Sequence, residues 1–270
     1  MGNSRMVYNC LYMKKQSKSK VSKTKKIPII VANWKTNPVN ISKAKDLVNS
    51  FAKNLKYEVI VCPPSVYSSL VIDFSKNKKI KFGLQNVSEF NEGAHTGEVG
   101  AKMAKSVGYT HSIIGHSERR KGGETSEMVS RKVFETVKSG LTPIVCIGED
   151  VRDSEGGYLS TLKNQIYESL SSLTEKDFSK IIIAYEPVWA IGAEKPVIPQ
   201  DLHETSLFIR KALSEKFGPK ALKVRMLYGG SVFPENAKAL IDGGEIDGFL
   251  LGRVSLDQKG FRKLIDILLA

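Results

Sequence analysis

Eight short runs rich in apolar and β-branched residues recur along the chain: Ile27–Ala32, Glu58–Val61, Lys79–Gly83, His111–Ile114, Pro143–Ile147, Ile181–Tyr185, Lys223–Tyr228 and Ile246–Leu251. The seven steps from Ile27 to Ile246 average about 31 residues, the length of one strand, one helix and two loops. Between the runs, segments such as Ser42–Leu55, Gln200–Lys216, Pro234–Ile241 and Ser255–Leu269 space their apolar residues along one helical face, as with Phe261, Leu264, Ile265 and Leu268. Eight strand–helix units predict an α/β chain folded as a single closed (β/α)8 barrel over residues 27–270. An open doubly wound sheet uses the same alternation. The dinucleotide fingerprint of such sheets is missing, however, because Asn33-Trp34-Lys35 follows the first run where Gly-x-Gly-x-x-Gly is required.

The longest apolar runs, such as Ile29–Ala32 and Ile144–Ile147, are strand-sized and far below the roughly 20 residues that cross a bilayer, so no membrane partner is expected. Three cysteines, Cys10, Cys62 and Cys146, lack both an even count and Cys-x-x-Cys spacing. They argue against a disulfide framework or zinc and for a reducing, cytoplasmic setting. Cys62 and Cys146 sit in apolar runs and read as small buried thiols. The net charge of +13 is concentrated in residues 1–26, which hold Arg5 and seven lysines and no acid. The remaining body is mildly basic, which suits phosphate esters and gives no separate case for nucleic acid. The acid-free segment 1–26 reads as a disordered basic extension, with an organelle transit segment as the alternative.

In a parallel barrel, residues just past the C-terminal ends of the strands face one mouth. Lys35 follows the first run, His116 the fourth and Glu186 the sixth. Singly they read as a solvated lysine, a loop histidine and an exposed acid; together they bring a cation, an imidazole and a carboxylate to one place. Glu186 opens the apolar loop Pro187-Val188-Trp189-Ala190-Ile191-Gly192. A loop of that kind can exclude water, and desolvation makes a carboxylate a stronger base. His116 stands at a strand-to-helix turn, where the helix N-terminus disfavours an imidazolium. Tyr228-Gly229-Gly230-Ser231 follows the seventh run, and Gly252-Arg253-Val254-Ser255 follows the eighth and opens a helix. Backbone N–H groups in these two loops can hold a phosphate.

Ala32–Lys35, Ile114–Arg120, Cys146–Glu149, Ala184–Gly192 and Tyr228–Val232 resemble the motifs of the triosephosphate isomerase family, in order and at barrel spacing. The resemblance implies a cofactor-free, metal-free aldose–ketose isomerase that interconverts dihydroxyacetone phosphate and D-glyceraldehyde 3-phosphate in glycolysis and gluconeogenesis. It implies Glu186 as the base, His116 as the neutral electrophile and Lys35 as the charge-stabilising cation, with Asn33 and Glu118 in support. Gly192, Ser231, Gly252 and the backbone at Arg253 would cradle the phosphate. Gly93-Ala94-His95-Thr96-Gly97-Glu98 resembles the family's interdigitating loop and implies a homodimer. The chain departs from the pattern at Ala193-Glu194-Lys195-Pro196 in the lid and at Arg253, where a second glycine is usual. An isomerase of another short phosphosugar, such as a four-carbon one, and a catalytically silent binding barrel remain as alternatives.

Deleting residues 1–26 is expected to leave kcat/KM and Tm nearly unchanged, since a same-sign charge run with scattered apolar residues cannot build a core. Thermal denaturation of the truncated chain checks this. A drop of about 5 °C or more would show that the segment docks on the barrel.

Overall fold

The structure, a computed structural model, describes residues 28–51, 57–77, 79–190 and 196–269. The 1–26 extension and the lid positions Gly192, Ala193 and Glu194 lie outside the described residues. The strands are β1 (Ile29–Asn33), β2 (Glu58–Cys62), β3 (Lys81–Leu84), β4 (His111–Ile114), β5 (Thr142–Ile147), β6 (Ile182–Tyr185), β7 (Arg225–Tyr228) and β8 (Gly248–Leu251). They pair in parallel in chain order and close through β1 and β8, so the expected barrel is the one formed. Helices α1 (Ile41–Ser50), α2 (Ser68–Phe74), α3 (Ala101–Ser106), α4 (Ser117–Lys121), α5 (Ser126–Lys138), α6 (Gly157–Ser169), α7 (Pro199–Phe217), α8 (Pro234–Gly243) and α9 (Gln258–Leu269) follow the strands in turn.

Both faces of the strands are buried, which is why the runs read as continuously apolar rather than alternating. Successive side chains still point to opposite faces. Ile29, Val31, Ile60, Cys62, Ile113, Ile144, Cys146, Ile182, Ala184, Leu227 and Leu250 form one cluster inside the ring. Their neighbours, such as Ile30, Val59, Val145, Ile183 and Phe249, pack outward against helical residues including Leu47, Val133, Leu162, Ile209 and Leu264. The ring closes where Gly248 pairs with Ile29. A β-carbon at position 248 would stand 1.9 Å from the Ile29 carbonyl oxygen, so only glycine allows this approach.

Some boundaries move. β3 starts later than expected and runs on to Leu84, and β7 starts at Arg225 because Pro219–Lys223 form a 3-10 turn. The helix expected over Ser255–Leu269 is divided: Arg253–Leu256 make a 3-10 turn, Asp257 is extended, and α9 begins at Gln258. The Asp257 carboxylate accepts the Lys259 N–H at 3.1 Å, the local bond by which an aspartate starts a helix rather than continuing one.

At the N-terminal end of the barrel, Glu58 opens β2, Lys81 opens β3, His111 opens β4 and Arg225 opens β7. Glu58 accepts hydrogen bonds from Lys81 Nζ at 2.8 Å and Arg225 Nη1 at 3.1 Å. His111 is buried beside them, with Nδ1 2.7 Å from Thr110 Oγ1. Burial pushes the His111 imidazole down to about 4; Glu58 opposes this, and Lys81 and Arg225 add to it.

The unfolded chain holds His111 near 6.5 and therefore binds more protons between about 4 and 6.5. The stabilisation is complete above 6.5 and is lost as pH falls through that window. Tm is expected to drop between pH 7 and pH 4.5, and His111→Gln to make the drop shallower, which thermal scans across pH measure. An equal decline in both proteins would contradict this source of acid sensitivity.

Candidate active site

β4 ends at Ile114, and Gly115 turns the chain so that His116 becomes the N-cap of α4. His116 Nδ1 accepts the Glu118 backbone N–H at 3.2 Å. A ring nitrogen that accepts an N–H carries no proton of its own, so the imidazole proton resides on Nε2. That nitrogen lies 3.2 Å from Glu186 Oε1, while the Ser117 N–H donates to Glu186 Oε2 at 3.2 Å. Glu186 comes directly after β6, its own N–H donating to the Ile147 carbonyl at 2.8 Å. Both side chains are buried.

Two glycines make room for Glu186, one for its backbone and one for its side chain. A β-carbon at Gly229 would lie 2.7 Å from Glu186 Cγ, and one at Gly148 would lie 1.8 Å from the Glu186 carbonyl oxygen. Gly229 thus serves clearance, a role that its place in a phosphate-loop motif does not advertise. The inward-facing Cys146 hydrogen-bonds to Glu186, and burial, followed by the Glu186 carboxylate, pushes its thiol far above the ordinary cysteine range. Cys146 is therefore a neutral thiol, as its apolar run suggested.

Lys35 adopts a left-handed backbone with φ 51°. That region costs a non-glycine residue on the order of 1 kcal/mol, so something must hold it. Asn33 Oδ1 accepts the Lys35 N–H at 3.0 Å, and Gln85 Nε2 donates to the Lys35 carbonyl at 2.8 Å and the Cys62 carbonyl at 2.9 Å. The ammonium reaches Glu118 Oε1 at 2.5 Å. Burial tends to raise the Glu118 carboxyl, but Lys35's hydrogen bond and charge hold it below its ordinary value. A β-carbon at Gly252, after β8, would meet Lys35 Cε at 3.5 Å. A cavity of about 400 Å3 opens between Asn33, Lys35 and His116 on one side and Gln85, Gly97 and Val99 on the other; Glu186 is not part of its wall.

The expected residues thus fall into two contacts, His116 with Glu186 and Lys35 with Glu118, joined through the Glu118 backbone. Ser231 Oγ donates to the Ala190 carbonyl at 3.1 Å, tying the loop after β7 to the segment after β6. Arg253 is exposed, and the loop after β8 opens a short 3-10 turn rather than the α-helix expected. Gly192 lies outside the described residues. Among the described residues, no three His, Cys, Asp or Glu side chains gather as a metal site.

Two residues belong beside those expected. Gln85 holds Lys35, as above. Glu149 is buried, and its Oε1 accepts from Tyr185 Oη at 2.9 Å and Trp189 Nε1 at 2.8 Å, while its carbonyl accepts the Val188 N–H at 3.0 Å. Burial and then Glu149 push the Tyr185 phenol far up, so it stays a donor. The Arg152 guanidinium lies over both the Tyr158 and the Trp189 rings, 4.9 Å and 5.7 Å from their centroids. Together these groups fix the chain that leaves Glu186. The rule that singled out Lys35 would also have found both, since Gln85 directly follows β3 and Glu149 stands two residues past β5. A carboxylate acceptor, a neutral N–H donor and an ammonium at one mouth can take a proton from carbon and stabilise the oxyanion that forms beside it.

Residues 28–268 match the model of the family described as triosephosphate isomerase. Among curated proteins, the triosephosphate isomerase of Solibacter usitatus is 42% identical over 245 residues, covering 88% of this chain and 98% of that one. The triosephosphate isomerase of Caldanaerobacter subterraneus subsp. tengcongensis is 41% identical over 244 residues, with the same two shares. That of Bacteroides fragilis is 40% identical over 244 residues, 88% of this chain and 97% of its own.

Gly229→Ala is expected to displace the Glu186 side chain while leaving the surrounding strands paired. Turnover should fall by about 10- to 100-fold with a Tm change below about 5 °C, since a 1 Å misplacement of a reacting group has that scale of effect. A coupled isomerase assay with thermal denaturation measures both. Unchanged turnover would mean that the clearance at Gly229 is not required.

Proposed function

The chain belongs to the triosephosphate isomerase family, and from that premise we propose that Glu186, His116 and Lys35 carry its reaction. The protein is an aldose–ketose isomerase that interconverts dihydroxyacetone phosphate and D-glyceraldehyde 3-phosphate, a step of glycolysis. Glu186 takes the proton from the carbon next to the carbonyl. His116 Nε2–H donates to the carbonyl oxygen and stabilises the enediolate; the ring then carries a proton from the other enediolate oxygen, so that one oxygen gains the proton the other loses, and Glu186 returns the carbon proton to the neighbouring carbon. Pairing a glutamate base with a neutral histidine is the established arrangement of this family. Lys35 exchanges part of its contact with Glu118 for the negative charge of the substrate. Asn33 positions Lys35, and Gly192, Ser231, Gly252 and the backbone at Arg253 receive the phosphate. The observation that carries these assignments is the 3.2 Å approach of His116 Nε2 to Glu186 Oε1.

The family match across residues 28–268 favours this reading over a four-carbon phosphosugar isomerase or a silent binding barrel. We read the active form as a homodimer joined through the 93–98 loop. What supports it is that every residue of that loop is exposed, together with the exposed apolar side chains Val66, Phe90 and Met103 on the neighbouring segments after β2 and β3. A cytoplasmic location is supported by Cys62 and Cys146, both buried and unpaired. We read residues 1–26 as an appendage to the 27–270 catalytic domain.

Glu186→Ala is expected to lower kcat by several orders of magnitude with little change in KM, because proton transfer is a transition-state interaction. Steady-state kinetics on the purified protein measure this. Retention of more than about a tenth of the activity would remove Glu186 from the role.

A further inference from the structure

The outer wall of the barrel carries a second concavity, bounded by α1, the end of α2 and the first turns of α9, with a volume of about 710 Å3. Lys45 of α1, Lys76 just after α2, and Lys259 and Arg262 of α9 line it, facing one acid, Asp46. All four cations are exposed, and none forms an ion pair with another described residue. Residues 1–27 and 52–56 contain no aspartate or glutamate, so those segments hold no carboxylate that could neutralise the groove. Like charges gathered in a concavity focus a positive potential and raise the local concentration of anions.

The walls of the groove are fixed to one another. Asn49 Oδ1 accepts the Lys76 N–H at 3.2 Å, tying α1 to the segment after α2, and the Phe51 and Phe261 rings pack at 4.5 Å between centroids where α1 meets α9. Among the described residues no aromatic side chain lines the groove, so its walls offer no stacking surface for a nucleobase. Its size is that of a small-molecule site, and its concavity does not fit a flat bilayer or a rod-like duplex. We propose that this groove binds a compact polyphosphorylated small molecule, held through its phosphate groups by Lys45, Lys76, Lys259 and Arg262. The site shares no residue with the active site and does not depend on the roles assigned there.

The test is calorimetric titration of the full-length protein with inorganic tripolyphosphate, after the active site has been saturated with a phosphorylated enediolate analogue. The expected result is one tripolyphosphate per chain, bound more weakly as salt rises. The double variant Lys76→Ala/Arg262→Ala should bind at least about tenfold more weakly while keeping its kcat/KM and Tm. Residues 1–27 are present in both proteins, so their charge cancels from the comparison. Should the double variant be unstable, Lys259→Ala alone is expected to weaken binding in the same direction. Loss of all binding once the active site is occupied, or equal affinity in the variants, would overturn the proposal. Binding of anionic vesicles or single-stranded DNA without binding of tripolyphosphate would overturn it as well.

Discussion

Everything at the mouth depends on the ring of strands closing between β1 and β8. Closure brings the Gly248 backbone so near Ile29 that a β-carbon would stand 1.9 Å from a carbonyl oxygen, and the Ile29 N–H donates to Asp247 at 3.0 Å across the seam. The inward cluster around Val31, Ile60, Ile144 and Leu250 fills the ring and stops it from collapsing or opening. Once the ring is closed, the ends of β1, β4, β6, β7 and β8 surround one opening. Residues more than 200 positions apart, such as Lys35 and Gly252, then become neighbours.

Within that opening, Glu118 organises both halves of the site. Its backbone N–H gives His116 an acceptor role at Nδ1 and so leaves the proton on Nε2, facing Glu186. Its carboxylate holds the Lys35 ammonium, whose strained backbone is in turn fixed by Asn33 and Gln85. The short α4 therefore sets a tautomer and a charge at once. On the far side, Glu149 anchors Trp189 and Tyr185, while Gly148 leaves room for the Glu186 backbone and Gly229 for its side chain. The contacts at His116 Nδ1 and on the Lys35 backbone each join a backbone group to a side chain, so that part of the geometry rests on the barrel.

The barrel was legible because strands buried on both faces need apolar, β-branched runs, and eight of these at even spacing leave few alternatives. Lys35, His116 and Glu186 were legible for a related reason, since strand ends mark the mouth. Gln85 is less legible because the expected run ends at Gly83, one residue before β3 ends at Leu84. The left-handed turn at Lys35 has no signature, because lysine does not favour that region and the bonds that hold it come from the Asn33 side chain and from Gln85, just past β3. The division at Asp257 was missed because the apolar spacing of Ser255–Leu269 is helical throughout, and one aspartate side-chain bond decides the start. The charged group of Glu58, Lys81, His111 and Arg225 joins first residues of four strands, which only closure brings together.

The central claim is that His116 meets the substrate as a neutral imidazole protonated on Nε2. Nitrogen-15 NMR of the histidine-labelled, substrate-free protein near neutral pH tests it directly, with His116 identified among the four histidines by the signals missing from His116→Gln. A protonated Nε2 showing one-bond N–H coupling and an unprotonated Nδ1 are expected. Signals from an imidazolium, or from a ring protonated on Nδ1, would contradict it.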